Sequence, residues 1–400
     1  MVFCVYIRAA PGKSAVAGSG VRGTVFNFYA GPAGLPRPVA DRIQRELSDF
    51  QGTGMSIMEI SHRAPQVEWL LADTAARTQR LLRLDESYEV LLLQGGGSMQ
   101  FAMVPMNFSA PGEPVDYIDT GYWAGRSIKD PRLLGRDVAL AGSSADRGYT
   151  YVPPPESIRV RPNARYLHLV TNNTVEGTQF HRPPRAAVPI IADMSSDLMS
   201  DVFDPDAYHL AYAHAQKNIG IAGVTLVVVR RSMLERIEAE LPAVLDYRVH
   251  SAHRSNFHTP PTFAIYVSWL MLGWLADEIG GLAAMGAINR RKAQILYDYL
   301  DGSSCYRAVA EPASRSLTNV VFTLPTPELT RRFLDEAEDA GFVGLAGHRT
   351  VGGCRASLFN GVTVESVRRL VDFMHDFERG VSSLSPTASR RLDTGERSPR

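Results

Sequence analysis

The chain lacks the features that mark nucleic-acid-binding, membrane and disulfide-bonded proteins. Its 42 Lys and Arg residues balance 42 Asp and Glu residues, and a formal net charge of zero gives no support for nucleic acid or an anionic membrane as the main partner. No apolar run reaches the roughly 18 residues that a transmembrane helix needs. The three cysteines, Cys4, Cys305 and Cys354, have neither disulfide nor metal-site spacing, which favours free thiols in a reducing compartment. We therefore expect a cytoplasmic protein without a bound metal.

The two ends of the chain are short of the residues that build a core. Residues 1–24 are rich in Gly, Ala and Ser, and no acidic residue occurs before Asp41. This is a weak signal for an organelle transit peptide, and the apolar start lacks the charged region of a secretory signal. We expect residues 1–24 to form a flexible extension. Residues 381–400 are polar with almost no apolar side chains, so we expect a disordered tail.

What lies between the ends is sufficient for a large core, since 45% of the residues are hydrophobic. Six short apolar runs alternate with helix-like stretches, and such runs are typical of strands buried on both faces of a mainly parallel sheet. The predicted strands are Val90–Leu93, Val115–Ile118, Tyr166–Val170, Pro189–Ala192, His209–Ala213 and Thr225–Val229. This α/β pattern predicts a large domain over residues 25–280.

A second pattern begins after Pro260-Pro261-Thr262, where helices outnumber strands. We expect a smaller α+β domain over residues 281–380. The predicted elements from this point on are the helices Phe263–Ile279, Ala287–Leu300, Glu328–Ala340 and Val364–Arg379, with one strand at Val320–Leu324.

Polar residues follow five of the predicted strands. In an open α/β sheet, ligands bind at the carboxyl ends of the strands, so we expect these residues to form one site. They are Gln94–Ser98, Thr120–Trp123, Thr171–Thr174, Asp193 and Gln216–Lys217.

Lys217 and Asp193 are the most informative members of that set. A lone lysine after a strand is usually a solvated loop residue, and a lone Asp there is usually a turn or cap residue. Together, an amine and a carboxylate at the ends of two buried strands suit pyridoxal 5′-phosphate. The amine forms a Schiff base with the aldehyde, and the carboxylate keeps the pyridine nitrogen protonated.

Further cofactor features occur upstream in the chain. Gly95–Ser98 leads from a strand into a helical stretch, and glycines before a helix N-terminus let backbone N–H groups approach a phosphate. Trp123 follows another strand end, where an indole can stack on a planar ring. Thr174 can hydrogen-bond the cofactor's phenolic oxygen or its surroundings. Each feature alone also fits an ordinary turn or packing residue.

Basic residues suggest that the substrate is an anion. Two His-Arg pairs occur, His62-Arg63 and His348-Arg349, and Arg355 follows the second pair. Arginine offers a planar fork to carboxylate or phosphate, and histidine adds a donor. This set suits a substrate with both a phosphate and a carboxylate, although arginines on a neutral protein are often surface ion pairs.

The chain resembles the phosphoserine aminotransferases, which are class-V pyridoxal phosphate enzymes of fold type I. The similarity runs from about Phe26 to Arg379. The segments that carry it are Asn27–Ala33, Met58–Arg63, Gln94–Phe101, Gly121–Ala124, Asn173–Gly177, Ala215–Gly220, Thr259–Phe263 and Gly347–Ser357. The resemblance implies a mainly parallel seven-stranded sheet. It also implies conversion of 3-phosphohydroxypyruvate and glutamate to O-phospho-L-serine and 2-oxoglutarate.

The resemblance further implies a homodimer whose sites are shared between subunits. Lys217 would carry the cofactor and move a proton, Asp193 would pair with the pyridinium nitrogen, Trp123 would stack on the ring and Thr174 would support it. The cofactor phosphate would be held by donors from both subunits: Gly97, Ser98, Gln216, His258 and Thr259. Arg355 would bind the substrate α-carboxylate. The substrate phosphate would be bound by His62, Arg63, His348 and Arg349.

Three positions depart from the family pattern. Ser98 stands where one branch of the family has an arginine, so phosphate binding would depend on the two His-Arg pairs. His258 replaces the usual Asn, and its charge would vary with pH. Asp201 replaces the usual Arg and puts a negative charge near the expected active face. This last change leaves room for an altered substrate preference.

Two alternatives remain open from the sequence. One is the same chemistry on another oxo acid, such as the 4-phosphohydroxythreonine of vitamin B6 synthesis or a substrate of specialised metabolism. The other is a non-catalytic relative that keeps the fold as a binding protein. The presence of Lys217, Asp193 and Trp123 argues against the second alternative.

Overall fold

The computed structural model describes residues 25–384, so our expectations for residues 1–24, Cys4 and the tail beyond residue 384 lie outside the described residues. The strands are β1 (Phe26–Asn27), β2 (Tyr88–Leu93), β3 (Pro114–Asp119), β4 (Asp137–Ser143), β5 (Leu167–Val170), β6 (Asn172–Asn173), β7 (Thr178–Gln179), β8 (Ile190–Asp193), β9 (Leu210–His214), β10 (Thr225–Arg230), β11 (Arg307–Ala308), β12 (Asn319–Thr323), β13 (Phe342–Val343) and β14 (Cys354–Ser357). The α-helices are α1 (Arg37–Glu46), α2 (Pro65–Leu82), α3 (Gly96–Phe108), α4 (Tyr122–Ser127), α5 (Lys129–Leu133), α6 (Arg231–Leu234), α7 (Tyr247–Ala252), α8 (Thr262–Gly273), α9 (Leu282–Gly302), α10 (Pro327–Asp339) and α11 (Val364–Leu384).

Seven strands form one sheet in the order β2-β10-β9-β8-β5-β3-β4. β10 runs antiparallel to both of its neighbours, and all other neighbouring strands are parallel. The predicted α/β fold with a mainly parallel seven-stranded sheet is therefore confirmed. β8 and β9 pair in parallel with Asp193 opposite Tyr212. The residues that follow these two strands consequently emerge at the same edge of the sheet.

The continuous apolar runs arise because the sheet is covered on both faces. In β2, Val90 and Leu92 join a core cluster that includes residues of α2 and α8, whereas Leu91 and Leu93 join a separate cluster on the other face with residues of α3. Burying both faces removes the polar alternation that marks a half-exposed strand. α8 is buried from Ala264 to Gly273, which explains why its sequence is apolar all round.

The edge strand β4 is the one strand of this sheet that the apolar runs do not predict. It pairs with β3 alone. Most of its residues are only partly buried, and Leu140 is 47% exposed. An edge strand with a solvated face has no continuous apolar run, so its sequence resembles that of a loop.

A second core lies under the three-stranded sheet β11-β12-β14. α9 serves both cores, because Leu282 and Met285 pack in the large core while Leu296 and Leu300 pack in the second. Phe28, near the start of the described chain, is also buried in the second core. The predicted domain division at residues 280 and 281 stays a prediction.

Cysteines and long helices complete the description of the fold. Cys305 and Cys354 are buried free thiols. Among the described residues, no single helix is long and apolar enough to cross a membrane, and the one helix pair that meets the length and composition criteria together, Thr262–Glu278 with Leu282–Gly302, is bent by 90°. The expected cytoplasmic location stays a prediction.

Lys292 of α9 is fully buried and fixes the segment that follows β14. Its Nζ donates hydrogen bonds to the carbonyl oxygens of Leu358, Phe359 and Val362 at 2.7, 2.9 and 2.9 Å. Burial lowers the pKa of Lys292 to about 7, but three carbonyl acceptors match the three N–H donors of the charged form. The side chain therefore ties α9 to the loop after β14.

Replacing Lys292 with methionine should lower the thermal stability of the protein. The change removes the Lys292 donor from the buried Leu358 and Val362 carbonyl oxygens, whereas the Phe359 carbonyl oxygen still accepts from the Val362 N–H at 2.8 Å. Each buried carbonyl left without a donor costs roughly 1–3 kcal/mol. We expect the unfolding midpoint to fall by at least about 5 °C. Differential scanning fluorimetry checks this, with Lys129→Met as the control because Lys129 is exposed. Equal midpoints for the two variants would show that the buried ammonium does not stabilise the loop.

Candidate active site

Lys217 and Asp193 line one pocket at the carboxyl edge of the large sheet. The pocket has a cavity volume of about 80 Å³ and is partly open to solvent. Its lining residues are Gly97, Ser98, Phe101, Trp123, Val170, Asn172, Asp193, Ser195, Ser196, His214, Gln216 and Lys217. The structure thus brings together six residues that the sequence predicts for a cofactor: Gly97, Ser98, Trp123, Asp193, Gln216 and Lys217.

Lys217 lies in the turn after β9 and projects into the pocket. Its Nζ is 6.0 Å from the centroid of the Trp123 ring. Burial lowers the pKa of Lys217, and the carboxylates of Asp193 and Asp197 oppose that shift. A lowered pKa increases the fraction of neutral amine, which is the nucleophilic form.

Asp193 is the last residue of β8 and is only 5% exposed. Its Oδ1 accepts a hydrogen bond from the Ser195 backbone N–H at 2.9 Å. Burial raises the pKa of Asp193, while the Ser195 hydrogen bonds and the Lys217 charge oppose the shift. A buried carboxylate with few charged partners would gain from a cation placed beside it, such as a protonated pyridine nitrogen.

Trp123 and Arg355 meet at the same short turn, which connects β6 to β7. The Trp123 Nε1–H donates to Thr174 Oγ1 at 3.1 Å. Arg355 of β14 donates from Nη1 to the Thr174 carbonyl oxygen at 2.9 Å, and its buried Nε has no partner among the described residues. Thr174 therefore orients the indole, while Arg355 keeps donors for a further acceptor.

The glycine segment opens a helix as predicted. α3 begins at Gly96, and Gly95 before it has a φ of +88°, which favours glycine. The first N–H groups of a helix have no intrahelical partner and attract anions. A Cβ at Gly97 would lie 3.3 Å from Ser195 Oγ and 3.6 Å from Asp193 Oδ2. The missing side chain at Gly97 therefore leaves room beside Asp193.

Four predicted residues form a separate group. The four residues contact one another, Gln94 or the segment before Thr259, and no hydrogen bond or ion pair within residues 25–384 joins them to the residues that line the pocket. They are His62, Arg63, His258 and Thr259. Arg63 Nη1 donates to the Asn256 carbonyl oxygen at 3.1 Å. His62 Nδ1 lies 3.4 Å from Thr259 Oγ1, and His258 Nε2 lies 3.1 Å from Gln94 Nε2.

His348 and Arg349 lie beside α4, the helix that contains Trp123. The His348 ring packs on the Tyr122 ring with centroids 4.6 Å apart. Burial lowers the pKa of His348, and the charges of Arg355 and Arg349 lower it further. Arg349 is exposed and makes no ion pair within residues 25–384. A dianionic phosphate near these groups would find free cationic donors.

The structure gives Asp201 a local partner. Asp201 forms an ion pair with Arg290 of α9, and a Cβ at Gly286 of α9 would clash with its carboxylate. The negative charge is therefore balanced by α9 and does not line the pocket around Lys217. These contacts give no support to the expectation that Asp201 alters the substrate preference.

Sequence reasoning missed several residues that shape the site. Ser195 and His214 line the pocket, and Asn218 connects the lysine turn to the second core through a hydrogen bond from Asn360 N to its Oδ1 at 3.1 Å. Glu176 is buried beside Arg355 and Tyr122. An acidic residue inside the Thr174–Gly177 turn is the signal that sequence reading could have used.

The comparisons with known proteins agree with this geometry. The aminotransferase class-V family model matches residues 25–370. The chain belongs to the class-V aminotransferases.

Several phosphoserine aminotransferases are similar to the chain over most of its length. The one from Syntrophobacter fumaroxidans is 52% identical over 356 residues, which cover 89% of this chain and 98% of that protein. The structure of the Bacillus circulans subsp. alkalophilus enzyme superposes with a TM-score of 0.87 at 44% identity, covering 90% of this chain and 99% of that one. A pyridoxal phosphate-bound enzyme from Trichomonas vaginalis has a TM-score of 0.83 at 32% identity, covering 88% and 100%. The predicted family is therefore confirmed.

Gly97→Ala should weaken cofactor binding without unfolding the protein. The backbone of Gly97 has an ordinary helical conformation, so alanine fits the chain, but the new methyl group projects between Ser195 and Asp193. Overpacking typically costs about 1–3 kcal/mol, which corresponds to roughly 5- to 150-fold weaker binding. Titration of the apoprotein with pyridoxal phosphate, followed by absorbance, measures the change.

Gly302→Ala is the control for this experiment, because nothing lies within 4 Å of a Cβ there. We expect this variant to bind like the wild type. If Gly97→Ala also binds the cofactor as tightly as the wild type, the space beside Asp193 is not where the ring lies.

Proposed function

We propose that the chain transfers an amino group from glutamate to 3-phosphohydroxypyruvate, giving O-phospho-L-serine and 2-oxoglutarate, with pyridoxal 5′-phosphate as cofactor. The observation that carries this proposal is the convergence of Lys217, Asp193 and Trp123 on one pocket with Arg355 beside it. High identity to phosphoserine aminotransferases over nearly the whole described chain supports the substrate assignment.

The residues present fit the cofactor. The pocket offers an amine of lowered pKa, a buried carboxylate and an indole, and Gly97 adds no side chain to the space beside Asp193. Lys217 would hold the cofactor covalently, Asp193 and Trp123 would hold its ring, and the α3 N-terminus with Ser98 and Gln216 would hold its phosphate. When bound, the cofactor supplies an aldehyde for covalent attachment and a ring that accepts electrons from the substrate Cα–H bond.

The chain's own groups explain how protons are moved and water is excluded. The lowered pKa of Lys217 leaves its amine free to take a proton from the substrate Cα and later to return it. Asp193 remains anionic once a cation lies beside it, because the opposite charge offsets the cost of burial. Phe101 and Val170 line the pocket and limit the access of water to both groups.

Two kinds of anion-binding group divide the substrate between them. Arg355 is held by Thr174 within the site and has unused donors, which suits the α-carboxylate that all amino-acid substrates share. His348 packs against Tyr122, Arg349 is exposed next to it in the chain, and this pair suits a phosphate. His348 is largely neutral at pH 7 without substrate, and a bound dianion would raise its pKa and so strengthen the contact.

Arg349→Ala and Arg355→Ala should therefore differ in selectivity. A lost charged hydrogen bond is worth roughly 1.5–3 kcal/mol, or about 10- to 150-fold in kcat/KM. We expect Arg349→Ala to lower kcat/KM for phosphoserine by at least about tenfold and to affect glutamate less, since the side-chain carboxylate of glutamate carries a single charge. Arg355→Ala should lower both values about equally.

Steady-state kinetics with both amino donors measures these changes, with the exposed Arg331→Ala as a surface control. If Arg349→Ala lowers kcat/KM equally for both amino donors, Arg349 does not recognise the substrate phosphate. That result would favour a substrate without a phosphate, on the same pyridoxal phosphate chemistry.

We further propose that the active form is a homodimer in which His62, Arg63, His258 and Thr259 serve the site of the partner subunit. Support comes from their separation from the pocket within one subunit. It also comes from the donors that they present in one group: the Arg63 guanidinium, two imidazoles and the Thr259 hydroxyl. A phosphate bound at the neighbouring α3 N-terminus could use such donors.

Mixing Lys217→Ala with Arg63→Ala subunits should give activity well above that of either variant alone. If Arg63 serves the partner's site, a mixed dimer contains one site with both Lys217 and Arg63 intact. Random exchange would then give about a quarter of the wild-type specific activity. Activity is measured after the subunits exchange in mild denaturant and refold. No recovery, with mixed dimers verified by mass spectrometry, would place both residues in the same site of one subunit.

A further inference from the structure

Glu176 is a buried carboxylic acid to which the proposed reaction assigns no role. It lies in the turn between β6 and β7 and is only 6% exposed. Its Oε1 accepts a hydrogen bond from the Tyr122 backbone N–H at 2.8 Å, whereas its buried Oε2 has no partner among the described residues. A buried carboxylate with one unpaired oxygen costs free energy of folding, so its presence requires a physical explanation.

The same turn holds two functional side chains in place. Thr174 accepts from the Trp123 indole and, through its carbonyl, from the Arg355 guanidinium. Glu176 binds the backbone N–H at the start of α4, one residue before Trp123. Gly121 permits this approach, since a Cβ there would clash with the Glu176 carboxyl group. Glu176 therefore joins the element that carries Trp123 to the turn that holds Arg355.

Charged groups from several elements act on Glu176. Burial raises its pKa to about 7, the Tyr122 N–H lowers it, Asp119 at the end of β3 raises it and Arg355 of β14 lowers it. Asp119 accepts a hydrogen bond from the Tyr149 hydroxyl at 3.0 Å, and its buried Oδ1 is also unpartnered among the described residues. The His348 ring packs against the Tyr122 ring. Arg355 is the positive charge among these groups, and its effect on the pKa of Glu176 is smaller than that of burial.

We propose that Glu176 is a positioning residue that takes up a proton from solvent when the carboxylate of a substrate binds to Arg355. The inference rests on the proposed function of Arg355. A bound carboxylate neutralises the guanidinium, so Glu176 loses its stabilising charge and gains a repulsive one. Protonation removes that repulsion while Oε1 continues to accept from Tyr122. Glu176 thereby keeps Trp123 and Arg355 aligned in the liganded state without a buried unpaired charge.

The sign of the pH effect follows from this coupling. Substrate binding raises the pKa of Glu176 from about 7, so binding is favoured where the residue is already protonated. Affinity for carboxylates should consequently fall as pH rises through 7 to 8, by up to about tenfold per pH unit for one full proton. Glu176→Gln keeps the acceptor for Tyr122 but cannot ionise, so its KM for glutamate should be nearly independent of pH in this range, with kcat changed less than KM.

Isothermal titration calorimetry tests the proton directly. The probe is glutarate, which has two carboxylates but neither an amino nor an oxo group and is fully ionised at pH 7. Titration of the holoenzyme at pH 7 in two buffers of different ionisation enthalpy gives the number of protons taken up. We expect wild type and Glu156→Gln, an exposed control, to take up a measurable fraction of a proton. Glu176→Gln should take up no proton beyond any that the cofactor itself accepts.

The visible absorbance of the bound cofactor, recorded in the same titration, separates any proton that the cofactor itself accepts. Equal uptake by wild type and Glu176→Gln would overturn the inference, as would zero uptake by the wild type. Failure of the proposed function would look different, because the wild type would then lack a visible cofactor band and phosphoserine turnover. If the wild type has the cofactor band and the phosphoserine turnover but takes up no proton with glutarate, only the role of Glu176 is overturned.

Discussion

The site depends on charges of opposite sign that are buried at one sheet edge. The parallel register of β8 and β9 fixes where Asp193 ends its strand and where the turn with Lys217 begins. In this pocket burial raises the pKa of the acid and lowers the pKa of the amine. Under the proposed function, both shifts suit a ligand that brings a cationic ring nitrogen to Asp193 and an aldehyde to Lys217. The rest of the structure keeps these two residues in register and out of water.

The second core contributes through a continuous set of hydrogen bonds. Asn218, next to Lys217, accepts from the backbone of Asn360, and the Asn360 side chain donates to the Met199 carbonyl oxygen. The loop that contains Asn360 is held from α9 by Lys292. β14, which immediately precedes that loop, carries Arg355. Arg355 and Lys217, the residues proposed to bind the substrate and the cofactor, are thus positioned by neighbouring parts of one network. Lys292 contributes to that network although it does not line the pocket.

The sequence was sufficient for the parts of the fold in which burial is uniform. β2, β5 and β8 are covered on both faces, so their apolar runs are continuous. The polar residues that follow each strand in the chain indicate the site. The edge strand β4 has no such run, and neither the partner of Asp201 nor the two-core role of α9 follows from local pattern. Glu176 was missed for the same reason: its burial comes from Gly121 and Arg355, which are distant in sequence.

The most direct test of the account is to locate the cofactor attachment. Lysine is scarce in this chain, with Lys13, Lys129, Lys217 and Lys292 as the four candidates. Borohydride reduction of the purified holoenzyme, followed by proteolysis and mass spectrometry, identifies the lysine that carries the pyridoxyl group. The account predicts that the label lies on Lys217, in a labelled peptide that the Lys217→Ala variant does not yield. A label on Lys292, the other lysine whose pKa burial lowers, or on no lysine at all, would contradict it.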